Sequence, residues 1–110
     1  MNIVLLTGNL TQDPVLRSTT TGIDVCRFRI AVDRRKTNGN ETDFFDIVAW
    51  RQLGVTCSQY LSKGRKVGVK GRIRTGTREK DGVKISTFEI EADEVEFLNS
   101  PNAGSAYDAG

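Results

Sequence analysis

Histidine is absent from the 110 residues. Its absence excludes the usual imidazole acid/base and triad chemistries and the common histidine-containing zinc sites. Cysteine is scarce: Cys26 and Cys57 each stand at an apolar position of a periodic segment, neither has a second cysteine two residues away, and both read as small buried hydrophobes. The apolar run at the start, Ile3 to Leu6, is too short for a signal peptide or a membrane span and lacks a basic flank, so a cytoplasmic, reducing compartment is expected. Gly71 and Gly76 have the spacing of a phosphate loop, but Thr77-Arg78 follows where Lys-Ser/Thr is needed. Asp43 and Asp46 are three apart on an expected strand and face opposite sides, which argues against a paired-carboxylate or metal site. No enzyme activity, metal or cofactor is expected.

Net charge is also small, +2, on a chain that is 37% hydrophobic and 27% charged, ordinary figures for one soluble domain. The total hides a segregation. From Lys63 to Lys80 there are eight cations against one acid, Glu79, whereas Phe88 to Leu98 holds five acids and no cation. A local basic field of this kind matters for anionic partners more than the sum does.

Tyr60 to Thr75, YLSKGRKVGVKGRIRT, organises the chain. Tyr60 and Leu61 close an apolar helical stripe begun at Leu53 and Cys57, and Gly64 supplies the left-handed residue that commonly ends a helix. Beyond it the period becomes two: Val67, Val69, Gly71 and Ile73 on one face, Lys66, Lys70, Arg72 and Arg74 on the other.

Ahead of this stretch, Asn2 to Leu10 reads as a strand, Thr11 to Pro14 as a turn, and Val15 to Thr19 as a short extended piece. Cys26, Phe28, Ile30 and Val32 alternate with Arg27, Arg29, Ala31 and Asp33, a half-buried strand with a cationic wet face. Arg34 to Glu41 is a loop in which Asn38-Gly39 signals a hairpin turn. On the next strand, Thr42 to Trp50, the uniformly apolar set Phe45, Ile47 and Ala49 should turn inward. Phe44, Asp46, Val48 and Trp50 then lie on the wetter face, where the two rings either pack under loops or form a stacking platform. Thr75 to Gly82 is expected to be a loop with a hairpin turn at Asp81-Gly82, followed by a last strand with Phe88, Ile90 and Ala92 inward. Ile85 is ambiguous. Val95, Phe97 and Leu98 finish the packed region.

Residues 1–98 thus form one domain, and residues 99–110, rich in small and polar residues, read as a flexible tail. Three strands, one short helix and two strands point to an all-β fold, the five-stranded Greek-key OB-fold barrel with its helix between strands 3 and 4, a frequent binder of oligonucleotides. Single-stranded nucleic acid requires cations for phosphates and rings for splayed bases. Phe44 and Trp50 would stack, Arg29, Lys70, Arg72 and Arg74 would neutralise, and Arg34, Lys36 and Arg78 would reach in from loops. Any one of these cations alone reads as a solvated surface charge; the cluster is harder to dismiss.

The strings GNLTQDPVLRSTTTG, DFFDIVAWRQLG, YLSKGRKVGVKGRIRT and STFEIEADEVEFL, in this order and spacing, resemble the bacterial single-stranded DNA-binding protein family. The resemblance implies an OB-fold homotetramer that binds single-stranded DNA with little sequence preference in replication, recombination and repair, in the cytoplasm at the nucleoid. It assigns stacking to Phe44 and Trp50, basic contacts to Arg17, Lys63 and Arg74, and a place near the subunit interface to Phe45. Two departures stand out. Where family members usually carry further rings, this sequence has Lys36 and Arg78, so charge should matter more here and stacking less. The usual acidic tip that recruits repair proteins is replaced by SAYDAG, as in a trimmed, phage or accessory form. A rival reading is an OB-fold adaptor acting through protein contacts, similar to the primosomal replication protein N. The feature that separates the two is whether Phe44 and Trp50 face the basic groove.

Overall fold

A computed structural model of the chain describes residues 1–34 and 41–98. Its strands are β1 (Val4–Leu10), β2 (Val15–Ser18), β3 (Asp24–Asp33), β4 (Thr42–Trp50), β5 (Lys66–Lys80) and β6 (Val83–Leu98), with helix α1 (Arg51–Tyr60) between β4 and β5. They form one sheet in the order β1-β5-β6-β4-β3-β2, and β1 returns to pair with β3, closing a ring of five strands. All pairings are antiparallel except β4 with β6, which meet in parallel at Ile47↔Ile90 and Val48↔Glu91. Helix placement, strand order and ring closure are those of the OB-fold barrel.

The sixth strand is the short extended piece. β2 pairs with Asp24 to Arg27 of β3, while the end of β1 pairs with Ile30 and Ala31 of the same strand. Because the other edge of β3 carries β4, β1 and β2 share one edge and act as a single strand interrupted at residues 11–14. Where β1 meets β3, a Cβ on Gly8 would collide with the carbonyl of Ala31, so closure needs a residue without a side chain at this point.

Alternation supplies the core. Cys26, Phe28, Ile30, Ile47, Ala49, Val67, Val69, Ile90 and Ala92 are buried, joined by Leu10 from β1 and by Cys57 and Leu61 from the helical segment. Phe45, Ile47 and Ala49 turn inward as the pattern of β4 predicts, with Phe45 partly buried against the cluster. α1 packs so closely on the barrel that a Cβ on Gly54 would stand 2.5 Å from the carbonyl oxygen of Ala49. Tyr60, expected to close the buried stripe, is exposed instead and lies against Phe97 with ring centroids 6.1 Å apart. The helix stops there, and Leu61, already extended, takes the buried position and donates its N–H to Cys57 O. Gly64, at φ 91°, serves the turn Ser62–Arg65 that follows rather than the helix end.

Thr75 to Lys80 is not a loop. β5 continues through it, and β5 and β6 stay paired from Lys66↔Leu98 to Lys80↔Val83. Asp81 and Gly82 turn the chain with φ of 55° and 79°, the double left-handed geometry of a two-residue hairpin turn. β1 leaves β5 at Gly71, and β6 touches β4 only at Ile90 and Glu91, so residues beyond Arg74 and before Glu89 form a two-stranded arm. At its root Asn2 imitates a strand residue: its side-chain amide donates to Ile73 O and accepts from Ile73 N, both at 2.9 Å. A register shift opposite Lys70 and Gly71 leaves Asp93 as an extra residue of β6. This bulge explains why the inward set on β6 changes from Ile90 and Ala92 to Val95 and Phe97. Asn38-Gly39 and the expected tail, 99–110, lie outside the described residues. Among the described residues no helix is long and apolar enough to cross a membrane.

Candidate nucleic-acid interface

The outward parity of β3, β4, β6 and the arm builds one continuous surface. β4 contributes Phe44, Asp46, Val48 and Trp50. Phe44 is 56% exposed and Trp50 partly so, whereas Val48 between them is buried. By register Val48 sits between Arg27 of β3 and Glu91 of β6, and such long charged side chains shield an apolar neighbour with their stems.

Two grooves run along this surface. Thr11, Gln12, Arg27, Arg29, Phe44, Asp46 and Glu89 are among the residues lining the first. The second lies under the arm and contains Trp50, Arg74 and Arg78 together with Asp46, Thr87, Glu89 and Glu91. Asp46 and Glu89 border both, so the grooves join. Each ring therefore stands beside cations, which is the arrangement that separates a base-stacking surface from an adaptor surface.

The sequence-predicted residues divide between this surface and elsewhere. Arg17 shares the Trp50 face, since Arg17, Val25 and Trp50 form one row across β2, β3 and β4. Arg29 lies in the Phe44 groove, and Arg74 and Arg78 in the Trp50 groove. Arg72 is the rung opposite Glu91 on the same face. Arg34 stands just past β3, where it is tied to Glu41 and Asp43. Lys36 lies outside the described residues. The structure does not bring two of the others to the rings. Lys63 occupies the turn after α1, its backbone N–H donating to Asp13 Oδ1 at 2.8 Å. Lys70 lines a separate groove with Leu5, Thr7, Gly68, Glu94 and Glu96, set apart from Arg72 by the bulge. Phe45 meets Phe88, at the root of the arm, edge-on with ring centroids 6.5 Å apart.

Most of the guanidiniums here are already paired. Arg27 is bonded to Glu89 and Arg74 to Glu91; Arg29 Nε donates to Asp46 Oδ1 at 2.9 Å, and Arg72 Nη2 reaches Asp93 Oδ1 at 3.0 Å and Glu91 Oε2 at 3.9 Å. The hydrogen bond and charge of Asp46 raise the pKa of Arg29, and those of Asp43 do the same for Arg34. On the arm the pattern changes. Arg78 faces Ile85 and Lys80 faces Val83 across the ladder, and neither cation is in an ion pair among the described residues. Arg27, which lines the Phe44 groove, and Lys80, Ile85 and Val83, which share the outward parity of the arm, were not singled out by the sequence. Arg27 has the parity of Arg29 and was findable; the arm residues needed the register.

This geometry agrees with what the sequence matches. The Single-strand binding protein family covers residues 1–98. The Single-stranded DNA-binding protein of Treponema pallidum (strain Nichols) is 42% identical over 110 residues, spanning 96% of this chain and 62% of that protein. That of Clostridium tetani (strain Massachusetts / E88) is 44% identical over 114 residues, covering 100% of this chain and 79% of the relative. Single-stranded DNA-binding protein 2 of Staphylococcus aureus (strain Mu50 / ATCC 700699) is 42% identical over 106 residues, 93% of this chain and 75% of the relative. With an OB-fold barrel, two rings set among cations on its outer face, and a match across the whole described domain, the chain belongs to the single-strand binding protein family.

Proposed function

We propose that this chain binds single-stranded DNA without sequence preference, as a binding protein rather than an enzyme. The observation that carries the reading is the pair of joined grooves, in which Phe44 and Trp50 stand on one strand parity with arginines on both flanks. A ring accepts any base, because every base has a π-face, and a guanidinium accepts any phosphate, so the surface has little means of reading sequence. The adaptor alternative has no comparable support, since its distinguishing feature was rings turned away from the cations.

Replacing Phe44 and Trp50 together with Ala should weaken oligo-dT binding by about tenfold or more, given ~1–3 kcal/mol per stacked base. Unchanged binding overturns the stacking mechanism. Arg78, in the Trp50 groove, supports a charge-weighted version of the family's mechanism. In that version log affinity falls steeply with log salt concentration. Strong binding at high salt with a shallow slope overturns it.

Family membership supports a homotetramer acting in replication, recombination and repair in the nucleoid-associated cytoplasm. Ile3, just before β1, and Leu5 on its outward side are exposed, and with Phe45 beside Phe88 they are among the apolar groups available for contacts between copies. Contacts to replication and repair proteins belong to the same proposal. Mass measurement during a titration with oligo-dT of increasing length reports assembly and site size together.

A further inference from the structure

Glu91 stands where β6 meets two strands at once, opposite Arg72 on β5 and Val48 on β4, so its backbone is held on both edges. Its side chain is only 19% exposed, against 62% for Arg74, and it is bonded to Arg74 while also lying within 3.9 Å of Arg72. Other charged groups around this point are Asp93, which binds Arg72, Glu89, which binds Arg27, and Asp46 and Arg78, which line the same groove. A phosphate that takes Nη1 of Arg74 displaces Glu91 and leaves a largely buried carboxylate without its partner; one that takes the remaining N–H groups of the same guanidinium sits beside that carboxylate as a second anion. Pairing and desolvation both oppose that exchange.

We propose that Glu91 is an internal rival of the DNA phosphates for Arg74 and Arg72, and thereby an affinity-setting residue of the groove. The inference rests on the single-stranded DNA reading. In the free protein the carboxylate holds the guanidiniums extended over the sheet; in the complex it limits how much those cations contribute and hastens their release. Phosphate contacts at this wall are exchanges of one anion for another, which release fewer counterions than contacts to an uncompensated cation.

The test is the Glu91→Gln variant, titrated with oligo-dT of about 15 nucleotides, within the usual range of sites on such folds, over a series of salt concentrations. The expected result is roughly 3- to 10-fold tighter binding at low salt. The slope of log affinity against log salt should steepen by about 0.7 to 1.4, corresponding to one or two added phosphate contacts on a single strand. The gain should vanish when Arg72→Gln and Arg74→Gln are present in the same chain. Glu79→Gln, on the opposite face of the arm, changes net charge equally and should not reproduce the gain. Glu91→Asp, which keeps the charge but withdraws it by one methylene, should give an intermediate effect and serves if the Gln variant does not fold. Unchanged or weaker binding in both Glu91 variants overturns the inference while leaving DNA binding intact, as does an equal gain from Glu79→Gln. A wild-type chain that does not bind oligo-dT overturns the reading beneath it and the inference together.

Discussion

The β5–β6 hairpin has two halves that share a ladder and a basic face but use them differently. In the half embedded in the barrel, the opposite face carries Val67, Val69 and Ile90 into the core, and the cations Arg72 and Arg74 stand across from Glu91 and Glu89. In the arm, apart from Phe88 at its root, which meets Phe45, neither face reaches the core, and Arg78 and Lys80 stand across from Ile85 and Val83. The barrel half therefore has its groove-face arginines balanced internally. The arm combines uncompensated cations, which single-stranded DNA requires for its phosphates, with exposed aliphatic side chains that offer apolar cover but no ring for stacking. A cation count cannot distinguish these halves; the cross-strand neighbour can.

The largest expected effect sharpens the contrast in stability. Ile90→Ala, at a fully buried position of the barrel half, should cost about 3–4 kcal/mol in urea unfolding, from lost burial plus the cavity left behind. Val83→Ala, on the same strand but in the arm, should stay within about 0.5 kcal/mol. Comparable losses would mean that the arm packs against something more than its own ladder. Next in size is an effect on binding. Arg78→Ala with Lys80→Ala should weaken oligo-dT binding roughly 3- to 10-fold and flatten the salt slope by about 1.4, two phosphates' worth. Arg72→Ala with Arg74→Ala should flatten it less, because those cations are already neutralised. Equal flattening by the two pairs would erase the distinction.

The smallest effect belongs to the barrel interior alone. Burial, with the neighbouring Cys26 adding to it, pushes the Cys57 thiol up to about 12 from an ordinary 9.0. The folded chain keeps this thiol neutral while the unfolded chain ionises it. The associated stability is therefore complete below about pH 9 and lost as pH climbs toward 12. Near pH 9.5 the loss should be roughly 0.5–1 kcal/mol relative to pH 8 by chemical denaturation. Cys57→Ala should lack that part of the alkaline loss; an identical loss in the variant would show that the thiol is not its source.

Much of the barrel was legible because one face of each strand must be buried. β4 was bounded correctly at Thr42 and Trp50, and the exposure of Phe44 followed from the interruption of its parity by Asp46. The hairpin turn at Asp81-Gly82 was readable from local chemistry. The arm was not legible as strand, since Thr75 to Lys80 buries nothing and so leaves no alternation to detect. Tyr60 has the right helical phase but stands at the residue where the helix ends. Val48 looked like an outward residue, and its burial depends on Arg27 and Glu91, which reach it from strands far away in sequence. For the same reason the ion pairs that neutralise half of the groove were invisible: each joins residues that only strand register makes neighbours. The shift of the apolar set from Ile90 and Ala92 to Val95 and Phe97 is written in the sequence, and it is the signature of the bulge.

Asp93 acts as a phase reset. After it the alternation of β6 answers to the core beside Val67 and Val69 of β5; before it the alternation answers to β4, the grooves and the arm. Because the arm runs on past the last pairings with β1 and β4, its length is free in the design of the fold. Rungs can be added or removed at its tip, two residues at a time on each strand, without turning a single core side chain outward or altering where Glu91 meets its arginines.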